Sequence, residues 1–167
     1  MIVRVKEYSI KRIQDKREFL FYLIKIKHHV KIHQILGKYI QHGKTTVYIH
    51  SRNVAYYSFL FAKFLENKLG ARINYEILTV SAIFHDFFLY DWHETEGRPR
   101  LHGFRHPKIA SENAQKFYNI NEEEKQIIES HMWPLTLTKF PKSTEGKIIC
   151  LIDKCCSIKE TFKRKGV

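Results

Sequence analysis

Apolar residues recur every three or four positions along most of the chain, the spacing that places them on one face of a helix. Few segments alternate apolar and polar residues with a period of two, so strands are hard to place. The seven Gly and four Pro fall between the periodic segments, where they end helices and form short loops. The pattern predicts an all-α fold, a single-domain helical bundle of about six main helices.

End signals give approximate bounds for these helices. Gly37 and Gly70 follow the first two, as is common at helix C-termini. Pro107 suits the first position of the fourth helix, with His106 as its flanking residue. Asn121, followed by three Glu, is the clearest start in the chain. The predicted helices are about Asp15–Leu36, Thr45 or Thr46 to Leu69, Tyr75–Tyr90, a helix that begins at Pro107, Asn121–His131 and Thr144–Phe162.

Several ionisable residues fall on helix faces that should be buried. His85 and Asp86 interrupt the third helix, which is otherwise apolar on nearly every side. His131 and Asp153 each stand four residues after an isoleucine on the last two helices. On the second helix, the inward stripe with spacings of four and three residues is His50, Val54, Tyr57, Phe61 and Phe64. Four helices therefore direct a metal-ligand residue type toward the interior.

This set of side chains indicates a bound cation. A buried carboxylate without a partner costs several kcal/mol, and few Lys or Arg share these stripes. Imidazole and carboxylate together suit Fe, Mn, Co, Ni or Zn. One metal rarely takes six protein ligands and keeps a position open for water. Two ions that share a bridging carboxylate would use the set economically.

Each residue also has a simpler interpretation. A single inward His is more often a hydrogen-bonded core residue than a ligand, and His106 could merely cap its helix. His29 and His33 lie four residues apart, but their basic surroundings favour a solvated surface. Six such residues on five segments are nevertheless hard to explain separately, and the pair His85 and Asp86 is the hardest case.

Composition narrows the class of protein. The 167 residues suit one domain, which we expect to span residues 1–167. The net charge of +12 favours encounters with anions such as nucleotides, nucleic acid or phosphorylated metabolites. Neither a signal peptide nor an apolar stretch of membrane-spanning length is visible. The three clustered cysteines, Cys150, Cys155 and Cys156, make a disulfide framework implausible, so we expect a cytoplasmic protein.

Five segments carry the ionisable residues in a fixed order: His, His-Asp, His, His and Asp. They are Ile49–Ala55, Ile83–Phe88, His106-Pro107, Ser130–Met132 and Leu151–Lys154. This order resembles the HD-domain metal-dependent phosphohydrolases, over about Thr45 to Thr161. The resemblance implies a helical bundle with a central site, a metal-binding core over about residues 45–161 and an N-terminal helical extension over about residues 1–44.

The resemblance also implies a distribution of ligands between two divalent transition-metal ions, with Fe or Mn favoured and Zn, Co or Ni as alternatives. His50, His85, Asp86 and Asp153 would hold one ion. Asp86 would bridge to a second ion, held by His106 and His131.

The expected activity is hydrolysis of a nucleotide or a related phosphorylated small molecule, by attack of metal-activated hydroxide on phosphorus. Asp86, Lys154 and Arg52 are the predicted catalytic residues, because the two cations lie close to ligands in sequence. Four further residues near the expected mouth of the site are predicted to contact substrate: Arg105, Lys108, His102 and Asp91.

Two other classes remain open at this point. A regulatory bundle would bind metal at a closed, structural site and hydrolyse nothing. A basic nucleic-acid-binding protein would bind in a salt-dependent and chelator-independent way, but the chain has no arginine-rich or aromatic-interleaved signature, so nucleic acid is not favoured. No membrane partner is expected, and the sequence does not indicate an oligomeric state.

Overall fold

The computed structural model describes residues 2–93 and 101–163 of the chain, and the predicted all-α fold is confirmed. These residues form seven helices and one two-stranded antiparallel ribbon. The elements are α1 (Ile2–Lys25), α2 (His29–Leu36), β1 (Ile40–His42), β2 (Thr45–Thr46), α3 (Val47–Leu69), α4 (Tyr75–Phe84), α5 (His102–Tyr118), α6 (Glu122–Ser130) and α7 (Thr144–Lys163).

The core lies where α3 packs against α4 and α7, and α6 packs against both α4 and α7. Phe59 of α3, Leu78 of α4 and Ile149 of α7 are completely buried there. None of the helices within residues 2–93 and 101–163 is long and apolar enough to cross a bilayer.

The buried face of α3 differs in part from the predicted stripe. His50 and Val54 are buried as expected, but the side chains of Tyr57 and Phe64 are 40% and 53% exposed. The C-terminal half of α3 instead buries the neighbouring face, which includes Ser58, Phe59 and Ala62. Tyr57 and Phe64 line a groove against α7, so this half of the stripe was wrong.

The predicted first helix is two helices. A break lies between α1 and α2, where His28 adopts a left-handed conformation with φ of 60°. Ile32 lies six residues after Ile26, which in an unbroken helix would place it about 240° further round the axis. Both residues are buried, so the break lets the two segments present their apolar faces to the same core.

The predicted third helix ends earlier than Tyr90. α4 stops at Phe84, His85 is its C-cap, and the chain turns through Leu89, which has φ of 60°. Phe87 and Phe88 are buried although they lie beyond the end of the helix, so the apolar pattern did not reveal where the helix ends. His85 and Asp86 thus lie at the point where the chain leaves the helix.

The predicted start of the fourth helix at Pro107 is also wrong. α5 begins at His102, and Pro107 is an interior residue whose missing N–H leaves the Gly103 carbonyl without its usual helical partner. His106 therefore lies inside the helix and is not its cap. Its ring Nδ1 contacts the His102 carbonyl oxygen at 3.0 Å.

The short ribbon, comprising β1 and β2, escaped prediction because its strands contain only three and two residues. Gly43 makes the turn with φ of 60°, a conformation that glycine adopts without steric cost. Thr46 ends the ribbon and caps α3, its hydroxyl oxygen accepting a hydrogen bond from Ile49 N at 3.3 Å. Gln41 is the buried residue of β1 and points toward the bundle.

Asn121 begins α6 as predicted and forms a capping box with Glu124. The Asn121 side chain accepts from the Glu124 N–H at 2.9 Å, and the Glu124 carboxylate accepts from the Asn121 N–H at 2.8 Å. We expect Asn121→Ala to lower the free energy of unfolding by about 1 kcal/mol, because an orphan N–H loses its acceptor. Urea denaturation measures this change. Asn67→Ala, at an exposed position of α3, is the control, and an equal loss there would contradict the assignment.

Candidate metal centre

Six buried residues from five separate segments of the chain meet in the middle of the bundle. His50 lies in the first turn of α3, His106 inside α5 and Asp153 in the middle of α7. The others lie at helix ends: His85 and Asp86 after α4, and His131 after α6. The side chains that sequence analysis assigned to a metal site are therefore close together.

Asp86 lies at the centre of the group. Its Oδ1 is 3.2 Å from His106 Nε2 and 3.7 Å from His131 Nε2. Its Oδ2 is 3.3 Å from His85 Nε2 and 3.7 Å from His50 Nε2. One carboxylate oxygen thus faces one pair of histidines, and the other oxygen faces the second pair.

Asp153 lies beside the second pair, His50 and His85. Its Oδ1 is 3.1 Å from His50 Nε2 and 3.6 Å from His85 Nε2. The hydroxyl of Ser157, one helical turn along α7, donates to the same oxygen at 3.3 Å. His50, His85, Asp86 and Asp153 consequently surround one small volume, while His106, His131 and Asp86 surround an adjacent one.

The outward nitrogen of each imidazole has a partner. The Nδ1 atoms of His85 and His131 contact the carbonyl oxygens of Ala82 and Ile128 at 2.8 and 2.7 Å. His106 Nδ1 contacts the carbonyl oxygen of His102, in its own helix, in the same way. His50 Nδ1 lies 2.8 Å from the Glu160 carboxylate. Protonated Nδ1 atoms that donate to these oxygens leave the Nε2 lone pairs facing inward, which is the tautomer of metal-binding histidines.

These inward lone pairs have too few donors. His85 Nε2 is completely buried and, although it lies 3.3 Å from Asp86 Oδ2, it has no hydrogen-bond partner among the described residues. His106 Nε2 and His131 Nε2 lie 3.0 Å apart, so two acceptors would face each other if both Nδ1 atoms carry the proton. A cation between the imidazoles removes both conflicts. Three sets of these residues bring their ligand atoms within 4.8 Å of one another, and the donors fit a divalent metal.

The electrostatics of the metal-free protein agree with this arrangement. Burial opposes ionisation of Asp86 and Asp153, but the neighbouring histidines outweigh it and hold both pKa values well below the usual range. Burial also opposes protonation of His50, yet hydrogen bonds to Asp153 and Glu160 raise its pKa to about 9. Burial, reinforced by His106 and His85, lowers the pKa of His131 to about 3. Protons thus occupy part of the centre when metal does not.

A family model described as HD domain matches residues 47–158, about two thirds of the chain. The chain belongs to the HD-domain family. Its members are the metal-dependent phosphohydrolases, so the resemblance found in the sequence is confirmed. No curated protein and no solved structure matches the chain. HD-domain membership implies divalent metal binding, and the buried His and Asp cluster fits such a site.

A cavity of about 700 Å³ opens onto this HD-domain centre. Asp86, His106, His131 and Asp153 form part of its lining, so the centre is accessible to a ligand. The remaining lining residues are Gln41, His42, Trp92, His102, Gly103, Met132, Pro134, Leu135, Lys154, Ser157 and Ile158.

Besides Asp86, two of the predicted substrate or catalytic residues line this cavity. Lys154 follows Asp153 on α7, and its Nζ donates to the carbonyl oxygens of His131 and Cys150, each at 3.0 Å. The His102 ring lies between those of His106 and Trp92, with centroid distances of 4.6 and 5.2 Å. Lys154 thus connects α7 to the end of α6, and His102 supports a ligand-type histidine.

The other four predicted residues do not line the cavity formed by the described residues. Arg52 lies two residues after His50 and Lys108 two after His106, about 200° round their helices, and both are exposed. Arg105 is exposed as well, and Lys108 pairs with Glu112 at 3.7 Å. Asp91 is half-buried and accepts a hydrogen bond from His93 N at 2.8 Å. Their roles toward substrate stay predictions.

Sequence reasoning missed three residues around the centre. The Glu160 carboxylate contacts His50 Nδ1 at 2.8 Å and also accepts a hydrogen bond from Asn53 Nδ2 at 3.2 Å. Its signal was available, because it stands seven residues after Asp153, two turns along the same face. Gln41 and His42 line the cavity from the ribbon. No local sequence pattern predicts that these two residues lie near the centre, because only the tertiary fold brings β1 there.

We expect Mn²⁺ to stabilise the protein, because a cation that binds the folded state and not the unfolded state shifts the unfolding equilibrium toward the folded state. The gain should be about 2.7 kcal/mol when the free metal is a hundredfold above Kd. Thermal unfolding with Mn²⁺, and again after chelation, measures it. Asp86→Asn should abolish the metal-dependent part, and a shift that survives in this variant would place the metal elsewhere.

The same measurement should depend on pH. The raised pKa of His50 stabilises the metal-free fold fully below 6.5, and this contribution is lost as pH rises through about 9. Metal must displace that proton, so the stabilisation by Mn²⁺ should be smaller at about pH 6 than at about pH 8.5. Equal shifts at the two pH values would show that no proton is displaced.

Proposed function

We propose that this HD-domain protein hydrolyses a phosphate ester or anhydride bond of a nucleotide or a related phosphorylated small molecule. The observation that carries the proposal is the position of Asp86. Its two oxygens face separate histidine pairs at the floor of an open cavity, so a ligand can reach the centre from one side.

Two divalent ions suit this geometry better than one. His50, His85 and Asp153 with one oxygen of Asp86 would hold the first, and His106 and His131 with the other oxygen would hold the second. The set consists of imidazole and carboxylate without a thiolate, which favours Fe or Mn and leaves Zn, Co or Ni possible. Such ions, when bound, supply a water molecule of lowered pKa and neutralise charge on a phosphoryl group.

Lys154 contributes a fixed positive charge at the cavity wall. Its Nζ is held by two carbonyl oxygens and by Cys150 Sγ at 3.3 Å, so all three N–H groups have partners. The ammonium can therefore act through its field on a substrate phosphate without moving. The net charge of +12 acts at longer range, because it raises the encounter rate with anions. Arg52, Arg105 and Lys108 belong to this exposed positive charge.

The rest of the cavity suits the organic part of a nucleotide. Trp92 lines one part of it, and Met132, Leu135 and Ile158 add apolar surface. A volume of about 700 Å³ is far larger than a phosphate group requires and lies in the range of small-molecule pockets. Flat aromatic and apolar walls beside a charged floor favour a base attached to a phosphate.

We also place the protein in the cytoplasm, without a membrane partner. The thiols of Cys150, Cys155 and Cys156 are unpaired, as expected in a reducing compartment. The proposed partner is the small anionic substrate itself.

The decisive experiment is metal analysis of the purified protein, followed by phosphate-release assays on a nucleotide panel with Mn²⁺ or Fe²⁺. We expect Asp86→Ala to lower kcat/KM at least about 10³-fold, since both histidine pairs lose their shared carboxylate. Lys147→Ala, an exposed charge change on α7, is the control and should retain activity.

Three results would contradict the proposal. Absence of transition metal together with no activation by any added ion would exclude the enzyme. Stoichiometric metal without hydrolysis of any substrate would favour a regulatory bundle. Salt-dependent, chelator-independent binding to nucleic acid would favour the third class of protein.

The aromatic wall gives a separate expectation. Trp92→Leu should raise KM for a nucleotide about tenfold, because the contact of the indole with a base is lost, and should change KM for ribose 5-phosphate less. Steady-state kinetics on both substrates measures the difference. Trp133→Leu is the matched control, since Trp133 packs on Phe140 outside the cavity lining. Equal increases for both substrates would argue against a base site at Trp92.

A further inference from the structure

The ribbon of residues 40–46 lies outside the segment that matches the HD family model, which begins at residue 47. It is nevertheless firmly attached to the start of α3. Val47 N donates to the Tyr39 carbonyl oxygen at 2.9 Å, which closes the base of the ribbon. Thr46, the last ribbon residue, caps the helix that carries His50. The ribbon is thus positioned by the same backbone that positions a ligand-type histidine.

Gln41 is the ribbon residue that reaches the centre. Its side-chain Nε2 donates to Asp86 Oδ2 at 2.7 Å, and the residue is 7% exposed. The opposite orientation of the amide would place its oxygen against the carboxylate oxygen, which is repulsive, so the donor must face Asp86.

This contact comes with an unsatisfied atom. Gln41 Oε1 is buried and has no hydrogen-bond partner among the described residues. An apolar side chain of the same length would avoid the unpaired acceptor, but it would also remove the donor to Asp86. Only one end of the Gln41 amide has a partner, and that end is the donor that faces Asp86.

The donor controls how Asp86 is turned. Rotation of an aspartate carboxylate about its last bond is only weakly restricted by intrinsic preference. With Oδ2 held by Gln41, Oδ1 must point toward His106 and His131. Without it, the carboxylate could turn and both oxygens could face the same histidine pair.

We propose that Gln41 is a positioning residue that locks the Asp86 carboxylate in the bridging orientation and thereby permits the second of two metal ions to bind. The inference rests on the two-ion centre of the proposed function. It assigns a role in that centre to the ribbon.

The test compares wild type, Gln41→Met and Lys44→Ala by calorimetric titration with Mn²⁺ and by electron paramagnetic resonance. Methionine keeps the length of the side chain and removes the donor. We expect two ions in wild type, with the spectrum of an exchange-coupled pair. In Gln41→Met, the second ion should bind at least about tenfold more weakly and the coupled signal should be lost, while the first ion still binds. Lys44→Ala, at an exposed position of the same ribbon, should behave as wild type.

The melting temperature of metal-free Gln41→Met should change little, because loss of the hydrogen bond to Asp86 is offset by removal of the unpaired Oε1. Two coupled ions in both wild type and Gln41→Met would overturn the role of Gln41 and leave the proposed function standing. A single ion in wild type would overturn the inference together with its two-ion premise. A parallel loss in Lys44→Ala would show that any damage to the ribbon has this effect, and it would also overturn the specific role of Gln41.

Discussion

The carboxylate of Asp86 is held between two pairs of imidazoles, and this contact constrains much of the fold. Each of its oxygens lies within 3.7 Å of two histidine Nε2 atoms, and the residue is only 2% exposed. Burial alone would make these groups intolerable, since charged and polar atoms lose their hydration without full replacement. Contacts with Asp86, and not only apolar burial, therefore fix how the five helices α3 to α7 pack around this point.

Much of this arrangement could be predicted from the sequence. The helical period, the interruption of an apolar helix by His85 and Asp86, and the spacing of His131 and Asp153 are local signals of buried polar groups. A polar residue on a buried face is informative, because burying it without a partner costs free energy and a partner is therefore expected nearby. For the same reason, Glu160 could have been found from its position two turns after Asp153.

The failures have physical reasons too. Composition does not mark the end of α4, because the apolar residues resume at Phe87 and Phe88, which are buried like those of the helix. The break before α2 follows from which face the surrounding helices cover, and that is not a local property. Arg52 and Lys108 are close to ligands in sequence, but about 200° of helical rotation directs them away from the cavity. The position of Gln41 could not be predicted, because the strands of its ribbon are too short to show an alternation of apolar and polar residues.

The ends of α4 and α6 have a further consequence. His85 and His131 are the C-caps of these two helices, so both helices end at the centre. The aligned peptide dipoles of a helix leave a partial negative charge at its C-terminus. These two helix ends therefore contribute a negative potential at this point, which opposes the positive end of α3 and favours positive ions. In a protein of strongly basic composition, the bundle thus encloses a small electronegative region that attracts cations inward, while its surface attracts anions.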